Sequence, residues 1–263
     1  MSKELHILGN GDMAHLFKKE ERNGTLLLCN MPPFHVDPKR VYATVMVDFK
    51  MMAALTEGQF ALDQYKWVLG TRPRIWMYER SAFYMKYAPN IREFYTYVPD
   101  YAVNPTNFNC GHMAAHYAAV KHKPDVINIY GFDTMFDFNM RSYTDTVLSS
   151  DRTDGNNYRL LNIWRPIMRD IIREFPQIEF VFHHNHDNLK IPKLDNCRVE
   201  VYDGGLSSMQ MKEDTSDLSH ETEILNKMSP EEKKVTSKEI PLNRKQRRMM
   251  ESFARRGFKD HEF

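Results

Sequence analysis

The sequence predicts an α/β fold: a Rossmann-like, mostly parallel sheet flanked by helices, followed by a charged, flexible C-terminal tail. Three observations predict it. Short apolar runs recur from the N-terminus to about residue 202, each stopped by turn residues. The runs are continuous rather than alternating, which fits strands covered on both faces. Helical patterns lie between them, and alternation of the two gives a parallel sheet.

The elements follow in order. Leu5–Leu8 stops at Gly9-Asn10-Gly11, Thr25–Cys29 stops at Asn30 ahead of Pro32-Pro33, and Tyr42–Val47 ends at Asp48. Further strands are read at Arg74–Tyr78, Glu93–Val98, Val126–Tyr130, Ile178–Phe182 and Arg198–Tyr202. Gly111–Lys121 places Met113, Ala114, Tyr117 and Ala118 on one helical face. Leu160–Phe175 carries an apolar stripe of Leu160, Ile163, Trp164, Ile167, Ile171 and Phe175, and Pro176 ends it. From about Ser207 the chain turns polar, with too few large apolar residues to offset its own entropy. The organisation expected is a Rossmann-like domain over residues 1–206, a polar linker over 207–240 and a basic segment over 241–263.

Composition bounds the class. Of 263 residues, 42% are hydrophobic and 27% charged, with a net charge of +1, so the overall balance argues neither for nor against a nucleic-acid partner. Cys29, Cys110 and Cys197 lie far apart without CxxC spacing, which excludes a zinc ribbon and points to a reducing compartment. No apolar stretch of about 18 residues is present, and no signal-peptide pattern. A cytoplasmic protein without a membrane span is the expectation.

Candidate functional residues sit where the strands end, since ligands of open parallel sheets bind outside the carboxyl ends of the strands. Gly9 and Gly11 around Asn10 let the backbone turn sharply or approach a phosphate closely, and both readings stay open. Asn30 and Asp48 close the next two strands. Asn109-Cys110-Gly111-His112 opens an Ala-rich helix, whose first turn offers backbone N–H groups to a ligand. That helix feeds a strand ending Tyr130-Gly131-Phe132-Asp133. No Asp-x-Asp pair of the kind that binds a divalent metal stands in a suitable position. His183-His184-Asn185-His186-Asp187 suits a polar loop at the cleft edge better than a metal site, because alternation leaves only His184 and His186 on one face. The aromatic residues from Trp76 to Tyr101 read mainly as packing, with a sugar or base platform as the alternative.

In their order and spacing, these pieces resemble the bacterial sialyltransferase-like glycosyltransferases, which include the CMP-sialic-acid-dependent family 42 enzymes and the related DUF115-type proteins. The resemblance covers roughly residues 4–190 and is strongest over 7–12 and 109–133. It implies a nucleotide-sugar co-substrate, no cofactor or essential metal, and inverting transfer to an acceptor hydroxyl. Carried over by position, Asn10, Gly11 and Asn30 would contact the donor, Cys110 and Gly111 would hold the nucleotide, and Tyr143 would steady the leaving phosphate. The chain departs from the pattern in two places. Asp12-Met13 replaces a Pro-Ser pair, and residues 151–158 lack the histidine that the family places there. The base would then be Asp151, Asp154 or His112, with Arg152 neutralising the departing phosphate.

The tail bears on the acceptor. Arg244, Lys245, Arg247, Arg248, Arg255, Arg256 and Lys259 are interleaved with Met249, Met250, Phe253 and Phe258, a pattern suited to folding on nucleic acid. It suits equally a solvated helix that docks on its own domain or on another protein; the acceptor expected is a glycan or a modified DNA base, and for the second this tail is where binding would start. The alternatives are a non-catalytic nucleotide-binding module, or a nucleic-acid-binding protein acting through this tail.

Overall fold

The computed structural model describes residues 3–19, 23–59, 61–70, 85–137 and 159–202. Eight parallel strands form one sheet: β1 Glu4–Leu8, β2 Thr25–Cys29, β3 Val41–Met46, β4 Trp67–Gly70, β5 Ile91–Tyr95, β6 Val126–Tyr130, β7 Glu179–His184 and β8 Cys197–Val201. Their spatial order is β5-β4-β3-β2-β1-β6-β7-β8. The chain steps outward from β1 to β5, then returns to lay β6 on the other side of β1. The order reverses between β1 and β6, which makes their carboxyl ends the topological switch point. β4 stands where the sequence showed only a four-residue run, and Arg74–Tyr78 lies outside the described residues. So do the linker and the basic segment.

Alternation along each strand divides the core between the two faces. Leu27, Cys29, Ala43, Val45, Ile127, Ile129, Phe180 and Phe182 face one layer. That layer holds α2, Cys110–Tyr117, continued by a π-turn over Ala118–His122, and α3, Arg165–Glu174, preceded by a π-turn over Leu160–Trp164. Leu8, Leu26, Leu28, Met46, Trp67, Leu69 and Tyr130 face the other layer. There lie a 3-10 helix, Asp12–Lys19, and α1, Phe49–Thr56. Of the predicted stripe, Leu160, Ile167 and Ile171 are buried and Ile163, Trp164 and Phe175 partly so; Met168 and Ile172, outside that stripe, are buried as well, and each fully buried side chain contributes about 1.5–3 kcal/mol. Pro166 lies where the π-turn passes into α3, the widened turn accommodating a residue without an N–H. Lys123 turns left-handed at φ 46 ahead of Pro124 and so ends the α2 segment. No helix among the described residues is long and apolar enough to cross a membrane.

Candidate functional site

The loops after β1 and β6 meet at the switch point. Gly9 N–H donates to the Tyr130 carbonyl at 2.8 Å, and Gly11 N–H donates to the Gly131 carbonyl at 2.9 Å. A Cβ on Gly9 would lie 2.6 Å from the Gly131 oxygen and 2.8 Å from the Phe132 ring. One on Gly11 would lie 2.5 Å from the Asp133 carboxyl carbon, and one on Gly131, at φ +69, would lie 2.8 Å from the Ala14 Cβ. The glycines are therefore required by the contact of one loop with the other. Of the two readings of Gly9-Asn10-Gly11, the tight turn has a direct structural cause.

Asp133 organises this junction. Its carboxylate accepts the Met13 N–H at 3.1 and 3.4 Å, capping the 3-10 helix after β1. Burial pushes its pKa up to about 7, and the neighbouring Asp137 and Asp12 carboxylates add to the rise. Asp12 is exposed beside it. The local field is thus negative, which suits hydroxyl donors on a ligand better than a phosphate.

A second cluster joins the next strand ends to α2. Asn30 adopts the left-handed conformation at φ 57, its N–H donating to the Val45 carbonyl at 2.9 Å and its carbonyl accepting the Thr44 hydroxyl. The Cys110 thiol donates to Asn30 Oδ1 at 2.8 Å and lies 3.6 Å from Asp48 Oδ2. Val47 N–H donates to Cys110 Sγ at 3.2 Å, and Asn30 Nδ2 donates to Asp48 Oδ2 at 3.4 Å. Asn10 donates to the Met31 carbonyl, tying the β1 loop to the β2 loop. The ends of β1, β2 and β3 and the start of α2, singled out separately in the sequence, are thereby brought into one polar patch.

The start of α2 is built around a reciprocal cap. Asn109 Oδ1 accepts the His112 N–H at 3.0 Å, while Asn109 N–H donates to His112 Nδ1 at 3.3 Å. His112 Nε2 lies 2.9 Å from the Trp164 carbonyl, so that nitrogen carries the proton. Burial lowers the ring pKa to about 4. Both nitrogens of His112 are thus occupied by the backbone, which gives the ring a place in helix capping and in tethering α2 to the segment before α3. Asp151, Arg152, Asp154 and Tyr143 lie outside the described residues, as do Arg244, Lys245, Arg247, Arg248, Arg255 and Arg256.

Two features escaped sequence reasoning. Phe132 lies between the two motifs: a Cβ on Gly111 would meet its ring at 3.0 Å, as a Cβ on Gly9 would at 2.8 Å. A glycine in each motif was the available signal. His183 and His184 are the buried last residues of β7 rather than part of a polar loop. His183 stacks on Tyr130 at 4.1 Å and bonds Asn128 and Tyr202 at 2.9 and 2.8 Å. His184 stacks on Phe136 at 3.9 Å and lies 4.2 Å from His186, on the shared face that alternation requires. Burial, then His186, lowers the His184 pKa to about 3. No group of three or more metal-ligating side chains is assembled among the described residues.

Compared with known proteins, the chain matches no family model, no curated protein and no solved structure.

Proposed function

We infer that this chain binds a nucleotide-activated sugar along the carboxyl ends of β1, β2 and β3 and transfers the sugar to an acceptor hydroxyl. The observation that carries this reading is the Asn30–Cys110–Asp48 contact beside the switch point. It gathers amide and carboxylate groups suited to ribose and sugar hydroxyls next to the first turn of a helix, whose dipole favours a phosphate. The exposed Asp12 carboxylate gives further hydroxyls an acceptor. Asp151 and Asp154 are the candidate bases, with Arg152 the candidate to neutralise the leaving phosphate. The acceptor is a glycan or a modified DNA base, the second approached through the basic tail.

Thermal unfolding in the presence of CMP, CDP, UDP and GDP sugars tests the reading. A ligand at a hundred times its Kd stabilises by about 2.7 kcal/mol, a rise in Tm of roughly 5–10 °C for a chain of this size. Asn30→Ala and Asp48→Asn should each shrink that rise. A flat response to all four nucleotide classes overturns the reading. The engagement of both His112 nitrogens favours a second reading, a nucleotide binder without transfer. A Tm rise with no donor turnover in any acceptor mixture selects it. For a DNA acceptor, truncation at Ser237 should abolish the salt-dependent part of duplex binding.

A further inference from the structure

The chain between β5 and α2, residues 97–108, passes over a buried histidine on α2. His116 has no accessible surface. Its Nδ1 lies 2.7 Å from the Tyr95 hydroxyl at the end of β5, and its Nε2 lies 3.3 Å from Glu174 Oε2 at the end of α3. A carboxylate only accepts, so the neutral tautomer that fits has its hydrogen on Nε2, toward Glu174, and lets Nδ1 accept the Tyr95 O–H. Burial away from water favours this neutral form.

The crossing segment covers that ring. Tyr97 stacks on His116 with centroids 5.1 Å apart and planes 20° apart, and Phe108 meets it edge-on at 5.9 Å. Phe175 closes another side at 5.4 Å. The Tyr101 hydroxyl donates to Glu174 Oε2 at 2.7 Å, tying the segment to the same carboxylate. Phe108 also stacks on His112 at 5.9 Å, and its neighbour Asn109 caps α2. Between these anchors Val103 is 90% exposed and held at φ 61, a costly conformation for a β-branched residue.

We propose that residues 97–108 form a pH-sensitive strap, seated while the His116 ring is neutral and released when it takes a proton, and that release loosens the first turn of α2 through Phe108. Protonation turns Nδ1 into a donor, so the Tyr95 hydroxyl must rotate to accept it and loses the acceptor for its own hydrogen, and a cation is left without solvent. Lifting Tyr97 and Phe108 admits water to the ring. Burial holds the His116 pKa below its ordinary value, against the opposing pull of Glu174. The other ionisable groups facing this latch of ring and strap are Tyr95 and Glu93 on β5, Tyr97 and Tyr101 on the strap, His112 and Tyr117 on α2, and Asp170 on α3. Lys121 pairs with Glu93, and Arg169 and Arg173 with Asp170. The seated state therefore binds fewer protons than the released one. Release grows as pH falls below about 6.5, by up to tenfold per pH unit, until the lowered pKa is reached.

Amide hydrogen exchange at about pH 7.5 and about pH 5, corrected for intrinsic rates, measures this. The Ala102, Val103, Asn107 and Phe108 amides, bonded within the strap, should lose about tenfold or more of their protection at the lower pH. His112 and Met113 should follow, while β6 stays unchanged. His116→Gln keeps a donor for Glu174 and an acceptor for Tyr95 without titrating, so the pH response should vanish. Equal responses in both proteins, or none in the wild type, overturn the proposal. A His116 ring pKa at or above 6.5 in the wild type, read by NMR, overturns it without any variant. A loosened strap with an unaltered α2 start overturns the coupling. The strap and its coupling to α2 do not rest on the function proposed above. No nucleotide enters the experiment, so either reading can fail alone.

Discussion

Placing a methyl group on Gly11 tests how the two switch-point loops fit. In Gly11→Ala the new Cβ stands 2.5 Å from the Asp133 carboxyl carbon and 2.6 and 2.7 Å from its oxygens. No structure holds atoms that close, so the carboxylate must leave the Met13 N–H it accepts at 3.1 Å. Loss of that bond costs about 0.5–1.5 kcal/mol for a neutral acid and up to about 3 for a charged one. Overpacking adds about 1–3 kcal/mol. The substitution should therefore destabilise by about 2–5 kcal/mol. Asp133→Ala removes all three clashing atoms, and Gly11 has no positive φ to forbid a side chain. In that background Gly11→Ala should be nearly neutral, leaving a coupling of about 2–5 kcal/mol between the sites. Urea unfolding of the wild type, both single variants and the double variant, followed by circular dichroism, measures it. Gly9→Ala serves as the control: its closest contact, at 2.6 Å, is the Gly131 backbone oxygen, so Asp133→Ala should not rescue it. Additivity within about 0.5 kcal/mol for the Gly11 pair would refute the packing account.

Two further outcomes follow from the same region. Asp133 holds its proton up to about pH 7 in the folded chain, whereas an unfolded aspartate releases it near pH 4. Between these values the folded state carries the extra proton, so stability falls as pH rises, by about 1.4 kcal/mol per pH unit for one group. Asp133→Asn should remove that slope, and unfolding curves of both proteins from pH 4 to pH 8 check it. At Asn30, φ 57 favours Asn and Gly over Ala. Asn30→Gly should lose the Cys110 and Asp48 contacts yet remain about 1 kcal/mol more stable than Asn30→Ala by denaturant midpoint; the reverse order would contradict the left-handed turn.

The sheet was legible because its strands are continuous apolar runs. β2 and β6 fall where the sequence places them, and β1, β3, β5, β7 and β8 lie within a few residues of theirs. β4 was not read because Trp67-Val68-Leu69-Gly70 has four residues and no turn pair before it. The segment Phe49–Thr56 was missed because its Met, Ala and Leu serve a helix as well as a strand, and Asp48 makes no side-chain cap bond there. Asn10, Asn30, Asp48 and Cys110 were each visible as strand or helix ends. The sequence could not show that the Asn30 turn aims its amide at the Cys110 thiol. The latch was beyond sequence reasoning altogether. It draws His116, Tyr95, Tyr97, Tyr101 and Glu174 from β5, the strap, α2 and α3, and no local pattern joins residues that far apart.

The place of β1 in the sheet has a consequence for biosynthesis. β1 is made before the other seven strands described, yet it lies inside the sheet, paired to β2 on one edge and β6 on the other. The Lys3 N–H that closes its start waits for Asp125, 122 residues later. At a translation rate of about 5–20 residues per second, that edge stays open for roughly 6–25 s. For that interval the nascent chain presents an apolar strand edge with unsatisfied backbone groups, the feature that sheets elsewhere cover or charge. Production of this protein should therefore depend on holding chaperones and on slow, cool expression more than its finished core would suggest.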